Sequence, residues 1–109
     1  MRNRKQQIHN LICTAIKANC VVFSDHAVDQ ITCRNFDQEN IMHSVMIGAV
    51  LEEQQDFYRA PRFIVSGRTK AGVRLDTVWA YNERNGWATL ISLFSPDKGR
   101  WSNSHIRGR

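Results

Sequence analysis

The feature that most limits how this chain can fold is a change of hydrophobic period near residue 50. Before it, apolar residues recur at helical spacing. Ile8, Leu11, Ile12, Ala15 and Ile16 fall at i, i+3, i+4, i+7 and i+8, one stripe of a helix over residues 4–18. Val21 to Phe23 is a short extended run. A second helix begins near Ser24 or Asp25, either of which can accept from free backbone N–H groups. A third follows, with Asp37 as its N-cap, Phe36 and Ile41 as a hydrophobic staple, and Gly48 where it stops. After residue 50 the period is two. Strands are expected over 50–57, 62–68, 73–81 and 87–94, with turns around Ala60-Pro61, over 69–72 and over 82–86. Helices first and hairpin-linked strands later imply an α+β fold: two or three N-terminal helices packed on a four-stranded antiparallel sheet.

Alternation then assigns the sheet faces. Val73, Leu75, Thr77, Trp79 and Tyr81 share one face of the third strand, and Arg74, Asp76, Val78 and Ala80 the other. In the fourth, Trp87, Thr89, Ile91 and Leu93 oppose Ala88, Leu90, Ser92 and Phe94. Both faces are partly apolar. The polar face is expected to carry Arg74, Asp76 and Ser92.

With 109 residues the chain is expected to form a single domain, 1–109, and its 42% hydrophobic content is that of a globular protein. Its longest apolar runs, such as Ile47 to Leu51, fall far short of the roughly 20 residues that span a bilayer. The basic N-terminus lacks an apolar signal-peptide core, so the expectation is no membrane association and a cytoplasmic location. Cys13, Cys20 and Cys33 make an odd count without C-x-x-C spacing, and read as reduced, partly buried thiols. The net charge of +5 is unevenly spread: residues 1–24 carry +4, 25–58 carry −6, and 59–109 carry +7. A basic C-terminal half beside an acidic middle attracts polyanions such as nucleic acid, or an acidic protein. Small basic domains without a nucleic-acid partner are equally familiar.

Ser24-Asp25-His26-Ala27, then Arg34-Asn35-Phe36, then Gly48, resemble the opening of a bacterial domain-of-unknown-function family, number 4258. That family has a strand, a pattern like S-x-H-A-x-x-R-M-x-x-R-G-I, and a closing strand like T-x-Y-x-P. Here the closing strand reads Ser92-Leu93-Phe94-Ser95-Pro96, and the resemblance covers about residues 21–101, leaving a basic tail over 102–109 that is expected to fray. Gln30 stands where the pattern has its first Arg, Asn35 where it has Gly, and Ser92 and Phe94 where it has Thr and Tyr. Asn35 can adopt the left-handed conformation that Gly would supply. The resemblance implies a fold similar to the RelE and BrnT toxins. Those are ribonucleases, usually paired with an antitoxin, so RNA and an antitoxin protein are the partners it implies.

Cleaving RNA without a metal needs a base for the 2′-OH, cations for the dianionic phosphorane, and an acid for the departing 5′-oxygen. His26 opens a helix with Gln30 and Arg34 at i+4 and i+8, so the three project to roughly one side. It reads as base or acid, or else as a histidine that caps or packs against the sheet. Arg34 reads as a phosphate clamp, or as a salt-bridge partner of Asp29, Asp37 or Glu39. Arg74 and Ser92 complete the candidate catalytic set; Ser92, carried over from the closing motif, could equally be a small residue making room beside a Trp. Arg62, Arg68 and Lys70 flank the second hairpin as candidate substrate contacts, though charged strand edges that discourage aggregation explain them too. Trp101, beyond the last strand, is a candidate for base stacking, whereas Trp79, Tyr81 and Trp87 read as core. His43 reads as surface, and His9 and His105 suggest nothing specific. No H-E-x-x-H, P-loop or G-x-G-x-x-G occurs, and the His/Cys spacing matches no zinc site, so neither metal nor cofactor is expected. A cysteine nucleophile would need a histidine beside it in space.

Two functions follow. One is a metal-independent endoribonuclease of the toxin kind. The other is a non-catalytic RNA- or protein-binding module on the same fold, which Gln30 in place of Arg favours.

Overall fold

The computed structural model describes residues 3–56 and 59–96. Its elements run α1 (Arg4–Lys17), β1 (Val21–Phe23), α2 (Asp25–Arg34), α3 (Gln38–Ile47), β2 (Ala49–Asp56), β3 (Arg59–Arg68), β4 (Arg74–Asn82) and β5 (Trp87–Phe94). The α+β class is as expected, but the sheet is not. It has five strands in the order β1-β5-β4-β3-β2, and β1 joins it parallel to β5. The extended run Val21–Phe23 is therefore a strand. Its pairing with Ala88–Leu90 spans most of the chain, and three residues carry no periodicity that would reveal it.

Each helix starts on the residue that can cap it. Asn3 Oδ1 accepts from the Lys5 and Gln6 N–H groups, Ser24 Oγ from Ala27, and Asp37 Oδ1 from Glu39. Asn35 ends α2 in the left-handed conformation (φ 55°, ψ 44°) expected of it. Gly48 ends α3 in extended backbone, and a different constraint accounts for it. A Cβ there would collide with the Ser66 carbonyl oxygen. Gly67 is under the same pressure, since its Cβ would meet the Ser44 carbonyl oxygen. The end of α3 thus lies directly on β3.

α1 and α3 cover one face of the sheet. Ile8, Ile12 and Ala15 of α1 and Ile41 and Val45 of α3 join Phe63, Val65, Leu75, Trp79, Ala88, Leu90 and Leu93 in one buried cluster. Leu11, on the expected stripe of α1, is instead exposed. The Trp79 indole N–H donates to Thr77 Oγ1 at 2.7 Å, which supplies a partner inside the core.

The strands depart from simple alternation at two places. The turn expected at Ala60-Pro61 lies inside β3, where β2 and β3 shift register between Gln54 and Asp56; proline tolerates such a bulge because it has no N–H to pair. In β5, Val78 pairs with Ser92 and Trp79 with Leu90, so Ile91 is an extra residue. That bulge reverses the faces beyond it. Leu93, not Ser92, joins Ala88 and Leu90 in the core, and Ser92 moves to the face of Val78 and Arg74.

Candidate functional site

Two groups of polar side chains emerge, one at the edge of β5 and one at the β3–β4 end of the sheet. At the edge, β1 ends after Phe23 and α2 takes its place beside β5. The Ser24 N–H donates to the Leu90 carbonyl at 2.9 Å, and Ser24 Oγ to the Ile91 carbonyl at 2.8 Å. Gln30 Oε1 then accepts from the Leu93 N–H at 2.9 Å and from Ser92 Oγ at 3.1 Å. Gln30 thus satisfies an edge-strand donor that would otherwise have no partner.

His26 and Arg34 lie one helical turn on either side of Gln30, each about 6 Å away along the axis. Both are exposed, and neither makes a hydrogen bond or ion pair among the described residues. The salt bridge considered for Arg34 with Asp29, Asp37 or Glu39 does not form. His26 neither caps α2, which Ser24 does, nor packs in the core.

At the β3–β4 end, Arg68 and Arg74 stand directly opposite each other. Arg74 Nε and Nη2 donate to Asp76 Oδ1 and Oδ2, both at 3.2 Å, and Ser95 Oγ donates to the Arg74 carbonyl at 2.9 Å. Arg68 Nη1 donates to the Gly72 carbonyl at 2.9 Å. Because β4 rises about 3.3 Å per residue, Arg74 is about 13 Å from Val78 and hence from the level of Ser92.

The other sequence candidates are held elsewhere. Arg62 pairs with Ala80, toward the opposite end of β3. Lys70, in the β3–β4 turn, forms an ion pair with Glu39 at 3.1 Å, and its N–H donates to Asn40 Oδ1 at 3.0 Å. It is tied to the start of α3 and not to the Arg68–Arg74 face. Trp101 lies outside the described residues. Trp79 is core as expected and Tyr81 is half-buried, but Trp87 is exposed.

A histidine and a cysteine do meet, though not as a nucleophile and its base. His9 Nε2 donates to the Val45 carbonyl at 2.7 Å and sits 3.5 Å from Cys13 Sγ. A nitrogen that carries a proton cannot take one from the thiol. Burial also pushes the Cys13 thiol up from its ordinary value, away from the reactive thiolate. His9, which suggested nothing in the sequence, therefore fastens α1 to the end of α3. His43 is half-buried rather than on the surface, and Cys33 is exposed rather than partly buried. Among the described residues, no three His, Cys, Asp or Glu side chains gather as metal ligands would, and no helix is long and apolar enough to cross a membrane. Sequence reasoning missed Asp76 and Gln30 as organisers of the site. The register of Asp76 beside Arg74 was legible; the contact of Gln30 with β5 was not.

These features define an α+β domain whose helix α2 docks on a sheet edge and whose open face carries paired arginines. Residues 23–95, two thirds of the chain, match the family described as a domain of unknown function, DUF4258, and the chain belongs to that family. No curated protein and no solved structure matches it significantly.

Proposed function

We propose that this protein binds RNA and cleaves it as a small metal-independent endoribonuclease, similar to the RelE and BrnT toxins and held in check by an antitoxin protein. The observation that carries the reading is the exposed pair His26 and Arg34, placed without partners among the described residues on either side of the Gln30–Ser92 contact. In this reading His26 takes the proton from a 2′-OH. The oxygen attacks the adjacent phosphorus, and the bond to the 5′-oxygen breaks to leave a cyclic phosphate. Arg34 stabilises the dianionic phosphorane. The 5′-oxygen takes its proton from water.

A second reading, a non-catalytic RNA- or protein-binding module, is favoured by a specific observation. Ser92 Oγ is already donated to Gln30, and the Arg74 guanidinium is already held by Asp76. Ser92 Oγ cannot act on a phosphorane without giving up its partner, and Asp76 offsets the Arg74 charge that would stabilise one.

The test is incubation of a mixed-sequence single-stranded RNA with the protein and with His26→Ala, in EDTA. Cleavage by the parent and not by the variant supports the nuclease. Intact RNA with both, together with binding that survives His26→Ala, supports the binding module.

A further inference from the structure

Arginines directly opposite on one face of a strand pair repel each other, which destabilises a sheet. Arg68 and Arg74 are such a pair. One carboxylate among the described residues offsets them. The Asp76 side chain, 4% exposed, takes two hydrogen bonds from Arg74. Arg68 has only the Gly72 carbonyl and no acidic partner among the described residues. The cluster therefore holds one uncompensated positive charge, and Asp76 fixes one of its two guanidinium planes. An open depression of about 540 Å³ lies beside both arginines, with Ser66 and Gly67 along it. Its rim carries the exposed aliphatic side chains of Ile47 and Leu51, and among the described residues no aromatic ring lines it.

We propose that this depression is a subsite for one phosphodiester of an RNA backbone, and that Asp76 is the positioning residue that orients Arg74 toward it. The proposal rests on the RNA reading above and adds where a second phosphate binds. Guanidinium forks match phosphate oxygens in pairs. One excess charge matches a phosphodiester monoanion better than a dianion. The described residues of the rim offer a base no aromatic ring to stack on, so the contact they make is to backbone and independent of sequence. The subsite is about 13 Å along β4 from the level of Ser92, so it is separate from the Gln30–Ser92 contact.

The experiment follows the arginine Nε–Hε signals by NMR while dimethyl phosphate, inorganic phosphate, acetate or a short single-stranded RNA is added. Dimethyl phosphate and the RNA shift Arg68 and Arg74, and acetate shifts them less. Arg68→Gln, on an exposed side chain, weakens RNA binding about tenfold and lowers its salt slope by about 1. Asp76→Asn removes the compensating charge and turns the preference from dimethyl phosphate toward dianionic inorganic phosphate, a change that a merely structural role would not produce. RNA that shifts only the Arg34 signal, with Arg68→Gln binding normally, overturns the subsite and leaves the RNA reading standing. Acetate acting as strongly as dimethyl phosphate overturns the phosphodiester assignment. RNA that binds nowhere sinks both readings.

Discussion

Gly67 has no room for a side chain, because the Ser44 backbone at the end of α3 occupies the place a Cβ would take. The blocking atoms are backbone, so relief requires α3 to move off β3. Gly67→Ala is expected to lower stability by about 2–3 kcal/mol, the usual cost of overpacking, read as a lower urea midpoint with an unchanged slope. A variant as stable as the parent would mean that α3 is not held against β3. Ser92 shows the same scale from the other side. Strict alternation put it on the face of Ala88 and Leu90, and one extra residue, Ile91, moved it to the opposite face. A bulge leaves no mark in a sequence as apolar as Thr89 to Leu93, because every residue there fits either face.

Between elements, the joint of α2 with β5 is the one that places the candidate site. β1 covers the edge of β5 for three residues, and Gln30 takes over the Leu93 donor beyond it. Where the family pattern has an arginine, this chain has a side chain that accepts a backbone hydrogen bond. Gln30→Ala should cost about 1–2 kcal/mol in chemical denaturation, because it leaves a half-covered N–H without its acceptor. The same variant should lower RNA cleavage or binding through displacement of His26 and Arg34. Loss of stability without loss of either would separate α2 from the function. The caps of α2 and α3 were legible because Ser24 and Asp37 satisfy donors within their own helix, a local requirement.

For the whole molecule, α1 matters most, since it lies outside the matched residues 23–95 yet supplies Ile8, Ile12 and Ala15 to the core. Its N-terminal end is fastened by Arg4, whose Nε and Nη2 donate to Glu53 at 2.8 and 3.1 Å and whose guanidinium lies 5.9 Å from the centre of the Phe63 ring. The hydrogen bond from Arg4 holds the Glu53 carboxyl below its ordinary range, with the Arg4 charge and a bond from Gln55 adding to it. A carboxylate depressed by folding contributes stability that is present above its unfolded pKa, about 4.3, and lost as pH falls through the folded value. The parent should therefore exceed Glu53→Gln in denaturant midpoint near neutrality and converge with it in strong acid. Curves that stay parallel across that range would show that the ion pair adds nothing to the docking of α1. The exposure of Arg4 keeps the difference small.

The sequence by itself determined what depends on near neighbours: the three helices, the caps of α2 and α3, four of the strands, the left-handed Asn35, and the basic character of the second half. Tertiary structure alone decided the parallel place of β1, the reversal of faces at Ile91, the need for glycine at 48 and 67, and the tasks of Gln30 and His9. Each of those rests on contacts between residues far apart in the chain, and such contacts are fixed only when the helices settle on the sheet.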